Sequence, residues 1–174
     1  MFFCYVECDN NRHKTKRKKM SIPQFDERGL LPAGVHTCTL DELKAWAASV
    51  PNAERRLMLV EKFENFLNEV IRPIAPGWPL VIDGSFATDK PFPNDIDFAL
   101  DLRECKNMEV IGKAVVSIIS NHEKNRLVYL VDGYPNLPGN NNFEEFFGYV
   151  GQKTGSLKNL SSTERKGTLR IEQW

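Results

Sequence analysis

From Thr39 onward the apolar residues switch between a helical and a strand period, and the switches divide the chain into elements. Thr39-Leu-Asp-Glu42 has the form of a capping box, which predicts a short helix from Leu40 to about Ser49, ended by Pro51. A longer helix follows from about Ala53 to Arg72. Leu57, Val60, Phe63, Phe66, Leu67, Val70 and Ile71 make its apolar face, and Glu54, Arg55, Glu61, Lys62, Glu64 and Glu69 its solvated one. Pro73, Pro76, Gly77 and Pro79 break the chain before a strand, Leu80 to Ile82. Beyond a polar loop, Ile96, Phe98 and Leu100 alternate with Asp95 and Asp97. The run reads as a half-buried strand with one acidic face.

The pattern continues with a helix from about Met108 to Asn121 and a third strand, Leu127-Val-Tyr-Leu-Val131, ending in Asp132-Gly133. A short helix from Phe143 to about Val150 and a final strand from Thr168 to Glu172 complete the set. Ile22 to His36 is rich in turn formers and predicts an irregular arm held by Phe25, Leu30, Leu31 and Val35. Lys153 to Lys166 is polar and reads as mobile. Helix, strand, strand, helix, strand, helix, strand predicts an α/β (α+β) fold, a small mixed sheet with helices packed on it.

At 174 residues, 41% apolar and 26% charged, the composition is that of one globular domain, not of a disordered chain. The net charge is zero but unevenly spread: six of the 23 basic residues and two of the 23 acidic ones lie before Met20, leaving a net −4 beyond it. An acidic body argues against broad phosphate-backbone binding. The basic run Arg12 to Lys19 reads either as a nucleic-acid arm or, with Met20-Ser-Ile-Pro23 as the start, as a disordered tail or upstream-translated segment. Residues 20–174 are then the single domain. Cys4, Cys8, Cys38 and Cys105 lack a disulfide framework, and Cys4, Cys8 and His13 do not complete a zinc set. His36 reads as a surface or capping residue. With no membrane-length apolar run and no secretory signal, the expected location is the cytoplasm.

The candidate chemistry is concentrated between Leu80 and Leu102. Carboxylates at i and i+2 of a strand share a face and can bridge divalent cations. An Asp-Ile-Asp strand alone is more often a solvent-facing edge. Here it follows a strand ending in Gly84-Ser85, with nine residues between that turn and Asp95. This arrangement resembles the nucleotidyltransferase superfamily, the polymerase-beta-like fold. A narrower resemblance, to a small, mostly prokaryotic family of uncharacterised proteins with that fold, rests on Ile22-Pro23, Phe25, Gly29-Leu-Leu-Pro32, Gly34 and His36. It extends through Asp83-Gly-Ser-Phe86, Thr88, Lys90, Pro93, Asp95-Ile-Asp97, Phe146-Phe147 and Lys166-Gly167.

The resemblance implies that Gly84 and Ser85 open a short helix holding nucleotide phosphates and that Asp95 and Asp97 bind Mg²⁺, with Mn²⁺ as the alternative. The third carboxylate, metal ligand and general base, would be Asp132, which reads equally as an Asp-Gly turn residue. Lys90 reads either as a phosphate ligand or as a solvated loop lysine. Asp101 reads as structural, and Asp83 as orienting the turn. The implied function is transfer of a nucleoside monophosphate from a nucleoside triphosphate to a protein or RNA acceptor, by analogy in a toxin–antitoxin or phage-defence system. The alternative is a catalytically weak nucleotide-binding or partner-docking module. The small size also points to a protein partner or a homo-oligomer.

Overall fold

The computed structural model describes residues 21–139 and 142–174. The basic run and the other expectations for residues 1–19 lie outside these. Five strands form one mixed sheet: β1 (Gly34–Cys38), β2 (Leu80–Asp83), β3 (Ile96–Asp101), β4 (Val131–Asn136) and β5 (Gly167–Ile171), in the order β1-β5-β2-β3-β4. The β5/β2 and β2/β3 pairs are antiparallel, and the outer pairs β1/β5 and β3/β4 are parallel. Six α-helices accompany the sheet among the described residues: α1 (Leu40–Ala47), α2 (Ala53–Phe66), α3 (Met108–Val115), α4 (His122–Tyr129), α5 (Phe143–Phe147) and α6 (Gly151–Lys158). The mixed α/β architecture is the one the alternating pattern predicts.

Residues facing alternate sides of the strands separate the molecule into a large core and a working face. Leu80 and Ile82 of β2, Ile96, Phe98 and Leu100 of β3, and Leu169 and Ile171 of β5 pack with Trp46, Leu59, Phe63 and Phe66 of α1 and α2. The Phe98 ring sits 5.3 Å from that of Phe63 and 5.4 Å from that of Phe66. Each buried ring contributes about 1.5–3 kcal/mol through apolar area alone, so this layer fixes the height of β3. The opposite face holds a smaller cluster, Val81, Ala99 and Phe147 with Tyr134 and Phe143. At one end of it Asp101 accepts from Arg103 Nε and Nη2, both at 2.7 Å, and from Arg170 Nη1 at 3.0 Å. Burial works against ionisation there, but the arginine hydrogen bonds win and hold the Asp101 carboxyl below its usual range. Asp101 is structural, as expected.

The capping box is formed: Glu42 N donates to Thr39 Oγ1 at 3.2 Å, and Thr39 N to Glu42 Oε2 at 3.1 Å. The helix after Pro51 reaches Ile71, its last turn, Leu67–Ile71, being π-helical. The one expected over 108–121 likewise changes at Val116–Ser120 into a π turn. His36 Nε2 donates to the Pro32 carbonyl at 2.8 Å, a local tie.

Three expectations fail. Leu127 to Val131 is not a strand: α4 runs to Tyr129, Leu130 takes a left-handed conformation, and the strand begins at Val131. The arm over 22–36 ends in a strand, because β1 finds a parallel partner in β5. The polar stretch from Lys153 carries most of α6, which closes against the Leu160 carbonyl where Gly155 leaves room.

Candidate functional site

The register of three neighbouring strands builds the site. Asp83 of β2 pairs with Asp97 of β3, and Asp97 pairs with Asp132 of β4. Three carboxylates therefore form one rung across the sheet, and Asp95, just before β3, joins them at the rim. Asp132 is a strand residue and not part of an Asp-Gly turn. Gly133 next to it packs against the Phe98 ring, where a Cβ would lie 2.6 Å from ring carbons. Asp132, expected at the end of a Leu127–Val131 strand, is instead the second residue of β4, where it pairs with Asp97.

A cleft of about 510 Å³ opens over this rung. Its walls bring together Asp95, Asp97, Asp132, Gly84, Ser85 and Lys90, which were singled out from the sequence, with Arg126, Lys153, Lys158 and Lys166, which were not assigned a role there. Asp97 carries the strain of the arrangement. Burial, then the negative charges of Asp95, Asp83 and Asp132, push its carboxyl up to about 7, against a smaller opposing pull from Lys166. Asp83 is raised by burial as well, with Lys166 opposing. Lys166 is buried, ion-paired with Asp83, and donates to the Phe147 carbonyl at 2.8 Å. The field of Asp132 and Asp97 reaches Tyr134, whose hydroxyl is pushed up to about 12, burial being the larger cause.

Two of the carboxylates have nitrogen-bearing partners on one turn of α4. His122 Nε2 lies 2.9 Å from Asp132 Oδ1, and Arg126 Nη2 lies 3.5 Å from Asp95 Oδ2. Residues four apart on a helix share a face, so both reach the same rim. This i, i+4 pair is visible in the sequence only once residues 122–129 are read as a helix. Lys158 Nζ is tied to Asp89 at 2.6 Å, whereas Lys90 and Lys153 have no ion-pair partner among the described residues. Ser85 belongs to a single 3₁₀ turn, Gly84–Ala87, whose shape is kept by Thr88 Oγ1 donating to the Ser85 carbonyl at 2.9 Å.

Two consecutive arginines of α2 hold the loop that joins the turn to Asp95. Arg56, fully buried, donates to the carbonyls of Thr88 and Lys90, the latter at 3.0 Å. Arg55 donates to the carbonyls of Pro93 and Asn94, both at 2.8 Å. Arg55 therefore leaves the solvated face to which the helical pattern assigned it. Sequence periodicity has no means of showing that an arginine will cap loop carbonyls.

Gly84 is required by geometry. Its φ is +72°, and a Cβ there would stand 1.6 Å from Asp97 Oδ2. Gly84→Ala is expected to lose about 1–2 kcal/mol from the left-handed backbone alone, and to turn the Asp97 side chain away. Thermal unfolding at neutral pH checks this: a variant as stable as the wild type would mean that the turn and Asp97 are not in close approach.

The donor set of Asp95, Asp97 and Asp132 is all hard carboxylate oxygen, a chemistry that suits a divalent cation such as Mg²⁺. As arranged, Asp95 and Asp132 lean on Arg126 and His122, and no three His, Cys, Asp or Glu side chains among the described residues are gathered in a metal-holding group.

Fold and site define a small mixed α/β domain with a cleft lined by carboxylates and by lysine and arginine side chains at one end of its sheet. The chain belongs to DUF6932, a family of unknown function, which it matches over residues 23–172. Comparison with curated proteins and with solved structures finds no match.

Proposed function

We propose that the protein is a Mg²⁺-dependent nucleotidyltransferase that moves a nucleoside monophosphate from a nucleoside triphosphate to a protein or RNA acceptor. The observation that carries this reading is the Asp97–Asp132 register beside the Gly84-Ser85 turn, with Asp95 at the rim. Asp95, Asp97 and Asp132 would hold the metal, which when bound neutralises phosphate charge and aligns the displacement. Lys90 and Lys153, cations of the cleft with no ion-pair partner among the described residues, meet the phosphates. Asp132, oriented by His122, accepts the proton of the incoming hydroxyl, a role for which a carboxylate needs hydrogen-bond reach more than any particular sequence position. Arg55 and Arg56 keep the loop with Lys90 in place. The proposal includes a cytoplasmic setting and, by the resemblance, a toxin–antitoxin or phage-defence context. Among the described residues no helix is long and apolar enough to cross a membrane.

The test is transfer of label from each of four labelled nucleoside triphosphates, with Mg²⁺, to protein or RNA. The wild type is expected to label an acceptor and Asp95→Ala/Asp97→Ala is not; equal labelling by the double variant would sink the reading. A second reading, a nucleotide-binding module without turnover, draws support from the partners that Asp95 and Asp132 already have. Nucleotide binding with no transfer, unaffected by Asp132→Asn, would select it.

A further inference from the structure

The cleft is lined mostly by charged and small polar residues, with Val150 and Leu157, and has no aromatic ring among its described lining residues. A second cavity, of about 580 Å³, shares Asp83 and Val150 with it and differs in character. Phe146 and Tyr149 line it together with Gln152, Ser162 and Thr163. Its frame is a short ribbon in which Val150 N donates to the Glu164 carbonyl at 2.9 Å, Gly151 N to the Ser162 carbonyl at 3.0 Å and Lys166 N to the Gly148 carbonyl at 3.0 Å. The Arg165 guanidinium stacks on the Tyr149 ring at 4.3 Å and fixes it. Phe146 is 67% exposed, although its neighbours on α5, Phe143 and Phe147, pack into the smaller cluster.

We infer that this cavity takes the planar base of the nucleotide whose phosphates occupy the adjoining cleft. The inference rests on the proposed function and extends it to the base subsite. The volume is in the range of small-ligand sites, two aromatic rings offer stacking surfaces, and an amide and two hydroxyls both donate and accept at an edge. That combination suits a heterocycle, since an aliphatic group would leave the polar atoms unmatched. Asp83 and Val150 line both cavities, so a base in one is joined through its sugar to phosphates in the other.

Calorimetric titration of the full chain with Mg²⁺ and either inorganic tripolyphosphate or each common nucleoside triphosphate tests it. Phe146→Ala removes a stacking surface that is already exposed, and Thr163→Trp fills the cavity; neither touches the cleft. Each is expected to weaken the preferred nucleoside triphosphate about tenfold, while tripolyphosphate binding stays within about twofold of the wild type. Wild-type affinity for the nucleotide in both variants overturns the base subsite and leaves the reading of the cleft intact. Failure of the wild type to bind tripolyphosphate or any nucleotide overturns both.

Discussion

Asp97→Asn is expected to make the protein more stable at pH 8 and to abolish transfer. Asp97 is an acid whose folded pKa, about 7, lies above its unfolded value, so the folded chain holds the proton more tightly. Its contribution is harmless below about pH 4, turns unfavourable as pH rises between about 4 and 7, and stays fully unfavourable above that. With allowance for solvent screening, removing the charge returns about 1–3 kcal/mol, or about 3–10 °C in melting temperature for a chain of this size. The gain should vanish when both proteins are melted near pH 4. On the proposed function, Mg²⁺ at pH 8 is expected to raise the melting temperature of the wild type; in Asp97→Asn that rise is expected to be lost, and transfer to fall by about 100-fold or more. A variant that is less stable at pH 8, or one that still transfers, contradicts the site.

The second large effect is in the opposite direction. Lys166→Met leaves Asp83 buried without its partner, and breaking a buried pair from one side costs about 3–5 kcal/mol. A fall of about 6 °C or more in melting temperature is expected at pH 7. Asp83→Asn added to Lys166→Met should recover most of it, because the isolated charge is then gone. If Lys166→Met alone melts like the wild type, the buried pair does not stabilise the fold.

The parts of this site that were legible in the sequence are those set by local pattern. Alternation placed Asp97 opposite Phe98, and a glycine-serine turn after an apolar run marked the bend at Gly84. β4 was misread because its own sequence, Val-Asp-Gly-Tyr-Pro-Asn, contains a glycine and a proline, which argue against a central strand. It is an edge strand, where Pro135 needs no ladder donor on its open side. The preceding Leu127-Val128 looked like strand by composition, yet both side chains are exposed on α4. β1 escaped notice because it follows a run of turn formers and three of its five residues are exposed, which leaves no alternating apolar pattern. Arg56, Lys166 and Arg126 act across long sequence separations, and periodicity carries no such information.

The strand order also sets a timetable. β5, synthesised last of the five, inserts between β1 and β2, and Lys166 enters with it. On a ribosome the rung of Asp83, Asp97 and Asp132 is translated well before its buried counter-charge, and β1 has no ladder until β5 emerges. Such distant pairings close late. A nascent chain that ends before Lys166 thus carries every carboxylate of the cleft on β2, β3 and β4, and lacks both their buried counter-charge and the strand that joins β1 to β2.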